Sequence, residues 1–125
     1  MPTKFSESLQ SLTEATARLA EALALPKDSI VRDSAVKRFE LAFDLAWKTT
    51  KAWLEEQGVM CASPKSCLQE GFRQGLLEYE EIWLETIELR NASVHSYDEA
   101  VAEKVYARLP AVLEALQKLL KKFQG

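Results

Sequence analysis

The stretch SIVRDSAVKRFELAFDLAWKTTKAWLEEQG, residues 29–58, decides the fold class. It contains no proline, and its first glycine is Gly58. Val36, Phe39, Phe43, Ala46, Trp47, Thr50 and Leu54 recur at the three, four and seven spacing that lines one face of an α-helix. A helix is therefore predicted from the Ser29 to Asp33 region to Glu56, with Gly58 just past its end. As the most apolar segment of the chain, it is the expected centre of the core.

The same pattern extends in both directions. Upstream, Phe5, Leu9, Leu12, Leu19 and Leu23 form one stripe from Lys4 to Leu25, about six turns at 3.6 residues each, which Pro26 ends. Downstream, Ser63 before Pro64 is a helix-start signature, since a serine hydroxyl caps free N–H groups and proline fits the first helical position. A short third helix follows to about Gln74, weakened by Gly71 and closed by Gly75. A fourth is expected from about Tyr79, with Ile82, Trp83, Ile87 and Arg90 at helical spacing, fraying between Asn91 and His95. Ser96-Tyr97-Asp98-Glu99 has the S-x-x-E form of a capping box, so a fifth helix is expected to start there and run toward Phe123. Val101, Val105, Leu109, Leu113, Leu116 and Leu120 face inward, and Pro110 predicts a kink or a break. No window alternates at period two, and repeats and linkers are lacking. The expectation is a single all-α domain, residues 1–125: an up-and-down four-helix bundle with one short extra helix.

Composition narrows function. In a chain of 125 residues, 47% are hydrophobic, enough for a core without staples. Sixteen Lys and Arg against nineteen Asp and Glu give a formal charge of -3, which excludes the broad basic field of a non-specific duplex binder. Cys61, Cys67 and His95 are too few for a four-ligand zinc site, so no metal and no cofactor is expected, and both cysteines read as free thiols. No cationic leader and no long apolar run is present, so the expected setting is cytoplasmic, without a membrane.

Chemistry concentrates in Arg90-Asn91-Ala92-Ser93-Val94-His95-Ser96-Tyr97, which holds the single histidine at the junction of two predicted helices. On one continuous helix Asn91 and His95 share a face, whereas Arg90 and His95 diverge by about 140°. Convergence of Arg90 with His95 requires the helix to end between them, and the box at Ser96 suggests that it does.

Arg90, the polar Asn91 after it and His95 match the R-x4-H motif of the HEPN superfamily, and Tyr97 extends it to R-x4-H-x-Y. Arg38-Phe39-Glu40, Leu45-Ala46-Trp47-Lys48, Lys51, Leu54-Glu55-Glu56-Gln57-Gly58, Ser63-Pro64-Lys65, Gly75-Leu76, Trp83-Leu84-Glu85 and Tyr97-Asp98-Glu99 resemble one branch of it, the nucleotidyltransferase substrate-binding proteins. The resemblance spans roughly Arg38 to Glu99; Leu89 departs from it, standing where the branch suggests an acidic residue.

The resemblance implies a HEPN-like bundle that pairs with a small nucleotidyltransferase in a toxin–antitoxin-like system. It also implies a homodimer whose two motifs face one cleft and cut RNA without metal. Such cleavage needs a base for the 2'-hydroxyl, an acid for the leaving oxygen, and cationic donors for the transition state. One chain has one imidazole, so a two-fold dimer must supply the second. Arg90 would bind phosphate oxygens with its planar fork, and Asn91 would orient it. The resemblance further implies adenylylation of Tyr97 by the partner enzyme, which would put a phosphate and a base into the groove and block RNA. The alternative is a non-catalytic module that binds nucleotide or substrate for the nucleotidyltransferase.

Structural readings stand beside these. Arg90, Asn91 and His95 could serve only as helix caps. Lys48 and Lys51, one turn apart, are candidate phosphate contacts or a solvated face. Trp47 and Trp83 read as core, and Trp53, off the main stripe, as an interface marker. Tyr106 and Glu78-Tyr79-Glu80-Glu81 read as surface, and Lys118, Lys121 and Lys122 as complements to a helix dipole.

Overall fold

In the computed structural model, residues 1–78 and 80–125 are described, apart from the side chain of Glu80. Five helices follow in order: α1 (Lys4–Leu23), α2 (Ser29–Glu56), α3 (Pro64–Arg73), α4 (Glu80–His95) and α5 (Glu99–Gln124). The expected helix start at Tyr79, and the surface reading of Tyr79 and the Glu80 side chain, lie outside the described residues.

Local signals set most boundaries. Thr3 accepts the Ser6 N–H and Ser6 returns the bond, while Asp28 accepts from Val31, so α1 and α2 each begin on a side-chain cap. Ser63 caps α3 with Pro64 at its first position, as expected. Gly58 and Gly75 adopt φ of +80° and +79°, which a side chain would resist, just past α2 and α3.

α2 is the hub. It packs along α1 and touches α3, α4 and α5; α5 closes the ring by packing on α1 and α4. The short α3 wedges between α2 and α4. Val36, Phe39, Phe43, Ala46, Thr50 and Leu54 are all buried. Of these, Val36, Phe39, Phe43 and Ala46 meet Leu12 and Leu19 of α1, Trp83 of α4 and Leu109 and Leu116 of α5 in one core. Phe5 and Phe123 stack edge-on at 5.3 Å and tie the first turn of α1 to the end of α5.

Four expectations change. Trp47 is half-buried rather than core, because its indole N–H reaches out to Asp44 at 3.3 Å. Of the kink or break expected at Pro110, the break does not occur, since α5 runs through it; the proline faces solvent, where water can take the carbonyl bond it forfeits. Asp98, not Ser96, caps α5, accepting from Val101 at 2.9 Å. Cys61 and Cys67 are joined as a disulfide rather than free, because the turn into α3 brings their Cα atoms to 5.1 Å. Among the described residues no helix is long and apolar enough to cross a membrane.

Candidate functional site

α4 carries the motif because its inner side is anchored. Leu89 and Ser93 are buried, and Thr86, also buried, back-bonds to the Ile82 carbonyl. An apolar Leu89 therefore suits the core at the position where the resemblance suggested an acid. The Ser93 hydroxyl donates to Glu40 of α2 at 2.7 Å and lies 3.0 Å from the Arg90 carbonyl, which pins the last turns of α4 to α2.

α4 stays helical through His95, so the fraying expected between Asn91 and His95 does not occur. The consequence is geometric: Asn91 and His95 share an exposed face, and Arg90 projects about 140° away from His95. The Arg90 guanidinium lies 5.1 Å from the Phe43 ring centroid and donates to Asn91 Oδ1 at 3.1 Å. The chain thus joins Arg90 to Asn91 but does not bring Arg90 to His95. Among the described residues, no hydrogen bond or ion pair engages the His95 imidazole.

Tyr97 sits in the three-residue link between α4 and α5 and turns back onto α2. Its hydroxyl donates to Asp33 Oδ1 at 2.5 Å. Burial, and then the Asp33 carboxylate beside it, push the phenol up to about 12. Asp33 is held below the usual carboxylate range, by the Tyr97 hydroxyl first and Arg32 second. Tyr97, Val94 and Ser93 form one wall of a groove of about 320 Å³, with Asp33, Val36, Lys37 and Glu40 of α2 opposite.

Arg32 organises this corner. It is 4% exposed, and its fork grips the Glu99 carboxylate at 2.7 and 3.0 Å, with Glu103 at 3.2 Å and Asp33 at 3.1 Å. Those carboxylates raise the guanidinium's affinity for its proton, Glu99 most, and Arg32 in turn lowers Glu99. Lys27 adds an ion pair to Glu103. Sequence reading passed over Arg32, Asp33 and Glu103. One signal was available: Arg32 stands on the inward stripe of α2, one turn before Val36, where a charge must find partners.

Lys48 and Lys51 fall elsewhere, in the second half of α2. Lys48 is exposed and paired with Asp44 at 2.8 Å, and Lys51 is half-buried; neither lines the groove. Trp53 is half-buried against the core. Among the described residues, no three of His, Cys, Asp and Glu gather as a metal-ligand group.

Comparison with known proteins places these features in context. The family model described as "Nucleotidyltransferase substrate binding protein like" matches residues 3–125. A curated relative from Haemophilus influenzae, named probable ribonuclease HepT, is 30% identical over 90 residues. That match covers 65% of this chain and 62% of the relative's length. A crystal structure from Thermus thermophilus superposes with a TM-score of 0.85 at 31% identity, over 91% of this chain and 99% of that one. Another solved structure, from Haemophilus influenzae, has a TM-score of 0.71 at 23% identity over 97% of each chain; it is described as revealing the fold of a substrate binding domain of a nucleotidyltransferase.

Proposed function

The chain belongs to the nucleotidyltransferase substrate binding protein like family, and from that membership we propose that it is the helical partner subunit of a small nucleotidyltransferase. The two form a two-component, toxin–antitoxin-like pair. In the same reading, two copies of this chain assemble a metal-independent ribonuclease site from Arg90, Asn91 and His95. The name of the relative, probable ribonuclease HepT, agrees with that activity.

One observation carries the site. The exposed Asn91 and His95 stand on one face of α4, and the imidazole is not spent on capping a helix. Because Arg90 diverges from His95, a single chain offers one acid–base group and a guanidinium aimed elsewhere. A second copy supplies the missing imidazole: one His95 takes the 2'-hydroxyl proton, the other protonates the leaving 5'-oxygen, and the 2'-oxygen displaces it at phosphorus. The arginines steady the charge that builds on the phosphoryl oxygens.

The purified chain, incubated with single-stranded RNA in the presence of a chelator, is expected to cut it. His95→Ala should lose about a hundredfold or more of that rate, the scale of one acid–base group. RNA left intact by the wild-type chain would refute the ribonuclease reading. The non-catalytic alternative draws on a different observation, the Tyr97 hydroxyl at the rim of an open groove. There the chain has no activity of its own and presents Tyr97 as the acceptor of a nucleotide from its partner; in the ribonuclease reading, adenylylation of the same oxygen blocks the groove beside His95. Copurification with the nucleotidyltransferase and a gain of one adenylyl mass on Tyr97 would support it.

A further inference from the structure

Resting on the reading of Tyr97 as a nucleotide acceptor, we infer that Asp33 is the general base for that transfer: it holds the phenol at the groove rim and receives its proton as the oxygen joins phosphorus.

The geometry is unusually constrained for a contact between residues 64 apart. Asp33 Oδ1 accepts the Tyr97 hydroxyl at 2.5 Å and the Arg32 Nε–H at 3.1 Å, so both lone pairs of one oxygen are used. Arg32 cannot swing, because it is buried and held through Glu99 at the start of α5. Glu99 follows Tyr97 by two residues. The same guanidinium therefore aims the acceptor carboxylate and anchors the backbone that carries the phenol. Tyr97 itself remains 45% exposed and lines the groove.

The chemistry balances with a magnesium-bound nucleoside triphosphate held by the nucleotidyltransferase. The phenol oxygen attacks the α-phosphorus and an O–P bond forms. The bond from the α-phosphorus to the bridging oxygen breaks, and pyrophosphate leaves. The phenol O–H becomes strongly acidic as the new bond forms, so a carboxylate within hydrogen-bond reach takes the proton without prior formation of phenolate. Once the transfer is complete the donor hydrogen is gone and an anionic phosphodiester faces Asp33. Once Asp33 has passed its proton to water, like charges push Tyr97 off α2, displacing the link that begins one residue after His95.

The test uses the full chain, its nucleotidyltransferase and magnesium-ATP, with initial rates of adenylyl transfer followed by intact mass between pH 6 and 9. Tyr97→Phe is the control that cannot accept. The wild-type rate is expected to be nearly flat over this range. D33N should be about a hundredfold slower at neutrality and climb about tenfold per pH unit as hydroxide takes over the proton. D33E, which restores a carboxylate, should recover part of the rate and the flat profile. A merely structural role would lower rates without changing the profile. D33N with the wild-type rate, or with a flat profile, overturns the inference and leaves the acceptor reading intact; a wild-type chain never labelled removes both. Should D33N fail to melt cooperatively, the ¹³Cζ resonance of Tyr97 in the wild-type chain decides the contact. A phenol titrating at the ordinary tyrosine value of 10.0 would overturn it, and one staying protonated to higher pH supports it.

Discussion

At the scale of single residues, the corner around Arg32 shows how a buried charge is made tolerable. A guanidinium 4% exposed would be costly alone, but every side of its fork meets a carboxylate, and those carboxylates keep one face in water. The arrangement gives stability two pH limits. Asp33, Glu99 and Glu103 are held below their ordinary values of 3.8 and 4.5. Their contribution is therefore complete above those values and is lost as pH falls through the lower folded ones. Tyr97 is raised from 10.0 to about 12, so its contribution is complete below pH 10 and is lost as pH rises toward 12. Thermal melts are expected to weaken at both ends. Tyr97→Phe should remove part of the alkaline loss while leaving most of the acid loss, which Arg32 and its other partners still carry. Equal alkaline slopes in both proteins would contradict the Tyr97–Asp33 bond.

At the scale of elements, periodicity and caps told most of the story. The α2 stripe from Val36 to Leu54 and the Ser63-Pro64 start of α3 are local signals, set within a turn of helix, and the structure agrees with them. The α4–α5 join was harder, since Ser96 and Asp98 both offer a cap. The choice of Asp98 lets α4 continue to His95, which separates Arg90 from His95. Pro110 is the other instructive case. It deletes one hydrogen bond inside α5, yet neighbours such as Leu109 and Val112 are buried and hold the helix together across it. Replacing this solvent-facing proline restores the bond at no packing cost. Pro110→Ala is expected to raise unfolding stability by about 1–3 kcal/mol, read by urea denaturation. A loss of stability would mean that the proline's ring is needed in its place.

At the scale of the whole molecule, the bundle closes its core but leaves large apolar side chains outside. Ile30 is 77% exposed, Leu41 53% and Val94 49%. Ile30 and Leu41 lie eleven positions apart, about three turns along one face of α2, and Val94 lines the groove beside His95. A two-fold contact over this side would cover them and bring two copies of the α4 end together, as the ribonuclease reading requires. Sedimentation equilibrium is expected to give a dimer, and Val94→Glu should shift it toward monomer while leaving the helical spectrum unchanged. A monomeric wild-type chain would leave the composite site without its second imidazole.

What sequence by itself determined was everything carried by neighbours on one helix: five helices, the inward stripes, the Ser63-Pro64 start of α3, the glycines just past α2 and α3, and the family through an ordered set of motifs. What only the tertiary structure decided was everything that joins distant segments. Phe5 meets Phe123, Ser93 reaches Glu40, and Tyr97 reaches Asp33 across the fold. Helical periodicity reports which way a side chain points, but not which helix stands opposite. Partners therefore emerge only when packing against α2 sets each helix's place and rotation.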